Sequence, residues 1–170
     1  MSNKSALILD KQRYANGKPP AFQRYYRIAK GSRHWWMRKL YAFLFYRECK
    51  KHHIEWHLKS EVGEGLYLGH PYGITINPHS VIGRNVNIHK GVTIGQENRG
   101  KRKGAPVIRD NVWIGVNSTI VGHVTIGNDV LIAPNSFVNC DIPDHSIVFG
   151  NPCRLKPCPN ATEHYINRTI

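Results

Sequence analysis

Residues 108–138 read IRDNVWIGVNSTIVGHVTIGNDVLIAPNSFV, and an aliphatic side chain returns at every sixth position: Ile108, Ile114, Ile120, Ile126, Ile132 and Val138. Four residues after each leader stands a small or β-branched residue, as at Val112, Ser118, Val124, Val130 and Ser136. Glycine follows the leader directly at Gly115 and Gly127. Upstream the same count runs through Ile76, Ile82, Ile88 and Ile94, and Trp56, Val62 and Leu68 lead three earlier hexads. A fixed period marks a repeat architecture and decides the fold class before any single element is read. Short strands and tight turns alternate, leaders point inward, and stacked strands pair at about 4.8 Å. No rung buries its face alone, so rungs stack into a solenoid around an aliphatic core.

The rhythm fails twice. The leader after Leu68 is due at position 74, yet the count restarts at Ile76, so two residues are inserted within Leu68-Gly69-His70-Pro71-Tyr72-Gly73-Ile74-Thr75. The second break separates Ile94 from Ile108. Its residues, 96–106, include Gly100 and Gly104 around Arg99, Lys101, Arg102 and Lys103, a pattern that predicts a flexible basic loop thrown out of the stack. After Val138 the chain leaves the rhythm at Asp141-Ile142-Pro143-Asp144, and residues 160–170 read as a polar tail.

Composition narrows the class. Hydrophobic residues at 41% and charged residues at 21% exclude a disordered tail. No apolar run approaches the roughly 18 residues of an ordinary membrane span. Met1 to Asp10 do not read as a secretory signal, which predicts a cytoplasmic location. The net charge of +13 favours acidic partners: a phosphorylated cofactor, anionic lipid or nucleic acid. Aromatics among the cations of residues 22–46 would permit base stacking, but no recognised nucleic-acid motif accompanies them, so nucleic acid is disfavoured. The four cysteines form no CxxC pair and read as reduced thiols.

Residues 1–20, polar and holding Gly17, Pro19 and Pro20, predict a loose arm. Residues 21–53 read as helix interrupted near Gly31-Ser32, with Ser32 a candidate N-cap. Trp36, Leu40, Phe43 and Leu44 follow helical spacing, while Trp35, Tyr41, Phe45 and Tyr46 point elsewhere. A helix apolar on two sides packs on the domain with one and meets something else with the other. Two readings of that second side stay open: a peripheral contact with the inner face of a membrane, or packing against another subunit.

Hexads of this kind resemble the left-handed parallel β-helix of the hexapeptide-repeat acyltransferases, and the resemblance implies three hexads per triangular coil. It also supplies the hand, since parallel crossovers are otherwise almost always right-handed. Within that superfamily residues 54–155 resemble serine O-acetyltransferase and its relatives in capsule and exopolysaccharide biosynthesis. The matching segments are Ile54-Glu55-Trp56-His57, Gly69-His70-Pro71-Tyr72-Gly73-Ile74, Gly91-Val92-Thr93-Ile94-Gly95 and Gly150-Asn151-Pro152. The fold expected is mainly β, a left-handed β-helix over residues 54–158, preceded by an N-terminal arm and helical segment (1–53) and followed by a tail (159–170).

The resemblance implies an acetyl-CoA-dependent O-acetyltransferase acting as a homotrimer. His70 matches the catalytic base of an Asp-His-x-x-Gly motif, and Glu55 falls where relatives carry the aspartate that orients it. Acetyl-CoA is the implied co-substrate, with no metal. Gly95, Gln96, Ala133 and Pro134 match the pantetheine slot, and Arg154 and Lys156 match contacts to the nucleotide end of CoA. Lys103 and its basic neighbours would attract the phosphates. The spacing of His70, His79 and His89 matches no zinc set, and His79, His89 and His123 are placed at solvent-facing positions. Three departures bear on the acceptor. Gly69 replaces the motif's aspartate, and Gly104 and Ala105 stand where serine acetyltransferases carry an Arg-His pair. The helical N-terminal domain of those enzymes is reduced here to one or two helices. These losses favour a hydroxyl on a sugar or lipid-linked glycan over serine, with serine O-acetyltransferase proper, or a non-catalytic membrane-associated scaffold, as the alternatives.

Overall fold

The computed structural model describes residues 3–170. Three helices, α1 (Asn3–Gln12), α2 (Ala21–Gly31) and α3 (Trp35–Lys51), precede fifteen short strands. Fourteen of these wind into a parallel solenoid. One wall stacks β1 (Glu55–Trp56), β4 (Thr75–Ile76), β7 (Thr93–Gly95), β10 (Thr119–Val121) and β13 (Phe137–Val138). A second stacks β2 (Glu61–Val62), β5 (Val81–Ile82), β8 (Val107–Ile108) and β11 (Thr125–Ile126). The third stacks β3 (Tyr67–Gly69), β6 (Asn87–His89), β9 (Val112–Ile114), β12 (Val130–Ile132) and β14 (Ser146–Phe149), closed by antiparallel β15 (Arg154–Pro157). Successive strands go to successive walls, so three hexads make one coil, and Thr75 pairs with Thr93 eighteen positions on. The architecture is a β-solenoid of about five turns.

The leaders do what their period requires. Ile76, Ile82, Ile88, Ile94, Ile108, Ile114, Ile120, Ile126, Ile132 and Val138 are all buried in one column. Corners are turned by residues in the left-handed region, among them Asn85, Asn111, Asn117, Asp129 and Asn135. Asparagine and aspartate tolerate that conformation better than other side chains with a Cβ.

The N-terminal segment is a fixed part of the fold rather than a loose arm. Asp10 is fully buried, and its carboxylate accepts hydrogen bonds from Arg27 Nε (2.8 Å), Gln23 Nε2 (2.9 Å) and the backbone N–H groups of Gly65 (2.9 Å) and Leu66 (3.2 Å). Arg27 in turn donates to the carbonyls of Val62 and Gly63. This network ties α1 and α2 to the first coil, and the hydrophilic appearance of residues 5–20 conceals it. Met1 and Ser2, where that expected arm begins, lie outside the described residues. Ser32 is the C-cap of α2, not an N-cap: its N–H donates to the Ile28 carbonyl, and α3 starts after His34.

The tail is also docked. The Asp129 carboxylate accepts from the N–H groups of Ala161 (3.0 Å) and Thr162 (2.9 Å), Tyr165 packs edge-on against Trp113, and Arg13 donates to the Asn167 carbonyl. Residues 160–170 therefore run back down the third wall toward the first coil, held by backbone contacts that no apolar pattern announces. Similarly, the basic loop is a hairpin. Glu97 and Gly104 exchange two backbone hydrogen bonds of 2.9 Å, and the N–H of His123 reaches the Arg102 carbonyl at 2.8 Å. Backbone pairing to the fourth coil replaces the loose excursion expected from its glycines.

Candidate functional site

The corner between β3 and β4 is enlarged by two residues, apart from the longer hairpin between β7 and β8. Lys90 N–H donates to the Gly69 carbonyl (3.2 Å), and the next donor, Gly91 N–H, reaches the Tyr72 carbonyl (2.9 Å). At the same corner in higher coils, the N–H of Asn117 reaches Lys90 and that of Asn135 reaches Val116. Tyr72 thus occupies the place of Lys90 and Val116, and the two surplus residues are His70 and Pro71. The rest of the ladder keeps its pairing, and the surplus pair stands out of it. His70 is exposed and held at φ 52°, an unusual conformation for a residue with a bulky ring.

Gly69 and His89 form the floor beneath this turn. They are paired across adjacent rungs, and a Cβ on Gly69 would lie 2.4 Å from Cδ2 and 2.6 Å from Nε2 of the His89 ring. No side chain fits at position 69 while that ring is there. His89 Nδ1 lies 2.9 Å from the Ile114 carbonyl, which can only accept, so Nδ1 carries the proton and Nε2 of the neutral ring keeps its lone pair. The ring also packs on Trp113, 4.6 Å between centroids. Burial pushes the His89 pKa down, and the neighbouring His70 adds to this, against the opposing pull of the Ile114 hydrogen bond. His89 is half-buried rather than a free surface group, because β6 turns it onto Gly69 and Trp113 instead of into solvent. His79 and His123 are exposed, as their hexad positions predict. The signal for His89 was present in the sequence: an outward-facing histidine one coil above a glycine.

The second departure repeats this arrangement. Gly104 has φ 135°, and a Cβ on it would lie 3.0 Å from the Cβ of His123. Gly69 and Gly104 are thus each backed by a histidine from further along the chain, His89 on β6 and His123 on the turn between β10 and β11. Ala105 is buried and presents no polar group.

Glu55 lies on the first wall, exposed, in a cleft of about 620 Å³ shared with His53, His57, Tyr46 and Thr75. No ion pair within 4.0 Å joins it to His70 among the described residues; the carboxylates that do pair with a histidine are Asp129 and Glu163. Gly95 ends β7 and Gln96 follows it, its side chain bonding Asn77 and Asn98. Ala133 and Pro134 follow β12, on the same corner as His70 but higher in the stack. The Ala133 carbonyl accepts from the hydroxyls of Ser118 and Ser136. Arg154 and Lys156 sit exposed on β15, and Lys103 is exposed in the hairpin. The structure therefore strings these residues along the stack without gathering them into one pocket of the chain.

Comparison with known proteins agrees with this geometry. Residues 105–140 match the family described as bacterial transferase hexapeptide (six repeats). The chain is 37% identical over 102 residues to serine acetyltransferase 2 of Arabidopsis thaliana, covering 60% of this chain and 32% of that protein. It is 34% identical to the serine acetyltransferase of Bacillus pumilus, covering 60% and 47%. The chain thus spans between a third and a half of the length of these curated relatives. Among solved structures, soybean serine acetyltransferase superposes with a TM-score of 0.73 at 27% identity, covering 91% of this chain and 69% of that one. A Neisseria gonorrhoeae serine acetyltransferase in complex with serine gives 0.71 at 26%, with the same coverage. Residues 105–140 thus carry hexapeptide repeats, and the coil matches the left-handed β-helix of the serine acetyltransferases. Within the hexapeptide-repeat superfamily, the resemblance of the chain is to these enzymes.

Proposed function

We propose that this chain is an acetyl-CoA-dependent O-acetyltransferase with His70 as its general base. The observation that carries the reading is the two-residue enlargement of one corner, which lifts an exposed imidazole out of an otherwise regular serine acetyltransferase-like coil. His70 takes the proton of the acceptor hydroxyl as its oxygen attacks the thioester carbonyl carbon. The tetrahedral oxyanion is stabilised by a backbone N–H, the C–S bond breaks, and the imidazolium returns the proton to the departing thiolate of CoA. No acyl-enzyme is required. Gly95, Gln96, Ala133 and Pro134 follow the pantetheine, while Lys103, Arg154 and Lys156 supply positive charge for the phosphates.

Serine is the acceptor that the relatives favour, both by their names and by the gonococcal complex with serine. This reverses the preference for a glycan drawn from the sequence departures. The sugar reading retains one observation in its support: Gly104 and Ala105 leave no charged side chain at their positions. His89, neutral and backed against Gly69, acts as a positioning residue that fixes the height of the His70 turn. Glu55 is assigned as the carboxylate partner of His70 in the assembled enzyme, a homotrimer in this reading. The test is thiol release from acetyl-CoA with serine, free sugars and nucleotide sugars offered in parallel. Serine as best acceptor supports the reading; a sugar preferred over serine moves it to the alternative; no release with any acceptor overturns it.

A further inference from the structure

Helix α3 turns its richest apolar surface away from the protein. Phe45 and Cys49 are buried against α2 and the first coil, yet Trp35 (69% exposed), Phe43 (64%), Trp36 (54%), Leu40 (47%) and Tyr46 (40%) face out. At 100° per residue these five side chains share an arc of about 140°. The same arc carries Lys39, Arg47 and Lys50, interleaved with the aromatics rather than set to one side, and Lys51 lies just beyond it. No carboxylate points into it. Glu48, the only acidic residue between Asp10 and Glu55, lies outside this arc and pairs with Lys51 and Arg47. Lys39 lies over the Trp35 ring at 5.0 Å and has no acidic partner within 4.0 Å among the described residues.

Charge decides what such a face can meet. Two copies joined through it would bring cations against cations, because an isologous contact sets the same patch on both sides. A protein partner with a plain apolar groove would bury ammonium groups without counter-charges. A surface offering anions and hydrocarbon within a few ångströms of one another satisfies both sets of side chains. Aromatic rings settle at the headgroup boundary, and lysines beside them reach phosphates. Among the described residues, no helix is long and apolar enough to cross a membrane. The 17-residue helix is, however, about 25 Å long and can lie flat on one.

We propose that the outward face of α3 is a docking surface for an anionic lipid bilayer, holding the β-helix at the membrane as a peripheral protein. Membrane docking needs neither His70 nor acetyl-CoA, although Tyr46 and Lys50 also line the cleft of Glu55.

Vesicle flotation of the full chain tests it, with phosphatidylcholine alone compared with phosphatidylcholine containing about a third phosphatidylglycerol, at physiological salt. The expected result is flotation with the anionic vesicles only, accompanied by a blue shift of tryptophan emission. Lys39→Gln with Lys50→Gln should weaken partition about 25-fold, at about fivefold per cation. Phe43→Glu should abolish the blue shift while circular dichroism stays native, since the position is exposed. Absence of flotation overturns the proposal. So does flotation that neither variant alters, which would place the contact elsewhere. If Phe43→Glu instead dissociates an oligomer, and neither protein floats, the face belongs to a second copy and the proposal also fails.

Discussion

Gly69 is small because His89 occupies its side-chain space, and this pair shows how far single residues can be read. Gly69→Ala forces the ring of His89 off the Ile114 carbonyl, at a cost of about 1–3 kcal/mol by overpacking. The loss should shrink in the double variant with His89→Ala, because the clash disappears with the ring; a double-mutant cycle in urea checks this non-additivity. His89 stays neutral under conditions where a free imidazole, ordinarily near 6.5, is half charged. Its folded pKa is lowered, so its contribution to stability is present above about pH 6.5 and is lost as pH falls through the lower folded value. Nitrogen-15 NMR of the ring should report the Nδ1–H tautomer throughout the neutral range. His70 was legible because it interrupts a count. The pairing of His89 with Gly69 was legible only once the two surplus residues are counted, because they set the partners twenty positions apart instead of eighteen.

The elements divide into those written in the period and those held by polar contacts. Solenoid strands were legible because a six-residue repeat of aliphatic leaders has one physical solution. The two surplus residues were also legible, as an offset in the same count. Helix α1 was not, because what fixes it is a buried carboxylate. Asp10→Ala leaves Arg27 uncompensated in the interior and should cost about 3–5 kcal/mol, measurable as a shift in the denaturation midpoint. The tail was equally illegible, since its anchor is Asp129. Burial pushes the Asp129 pKa up, but hydrogen bonds from Thr162, His145 and Ala161 outweigh it and hold the group below its ordinary 3.8. A depressed carboxylate stabilises above its unfolded pKa, so tail docking should persist above about pH 4 and fail as pH falls below it. Hydrogen exchange of residues 160–170 should accelerate in that acid window, and in Asp129→Asn at neutral pH. Unchanged protection in the variant would show that the remaining contacts, Tyr165 on Trp113 and Arg13 on the Asn167 carbonyl, hold the tail without Asp129.

At the scale of the molecule, the proposed chemistry lies where the regular winding is interrupted, and the basic hairpin lies where the chain leaves the coil. Residues proposed for the co-substrate are spread along the stack from Gly95 to Lys156, and Glu55 and His70 do not meet within one chain. That spread is what a site completed between neighbouring coils would need, and sedimentation equilibrium should give a trimer. The acceptor was the least legible feature, because Gly69, Gly104 and Ala105 record what is missing rather than what is bound. The most direct measurement is the rate of CoA thiol release from acetyl-CoA and serine by the wild type and by His70→Ala. A general base at His70 predicts serine-dependent release that falls about a hundred- to ten-thousand-fold in the variant, with the fold intact by circular dichroism. Equal rates for the two proteins would contradict it.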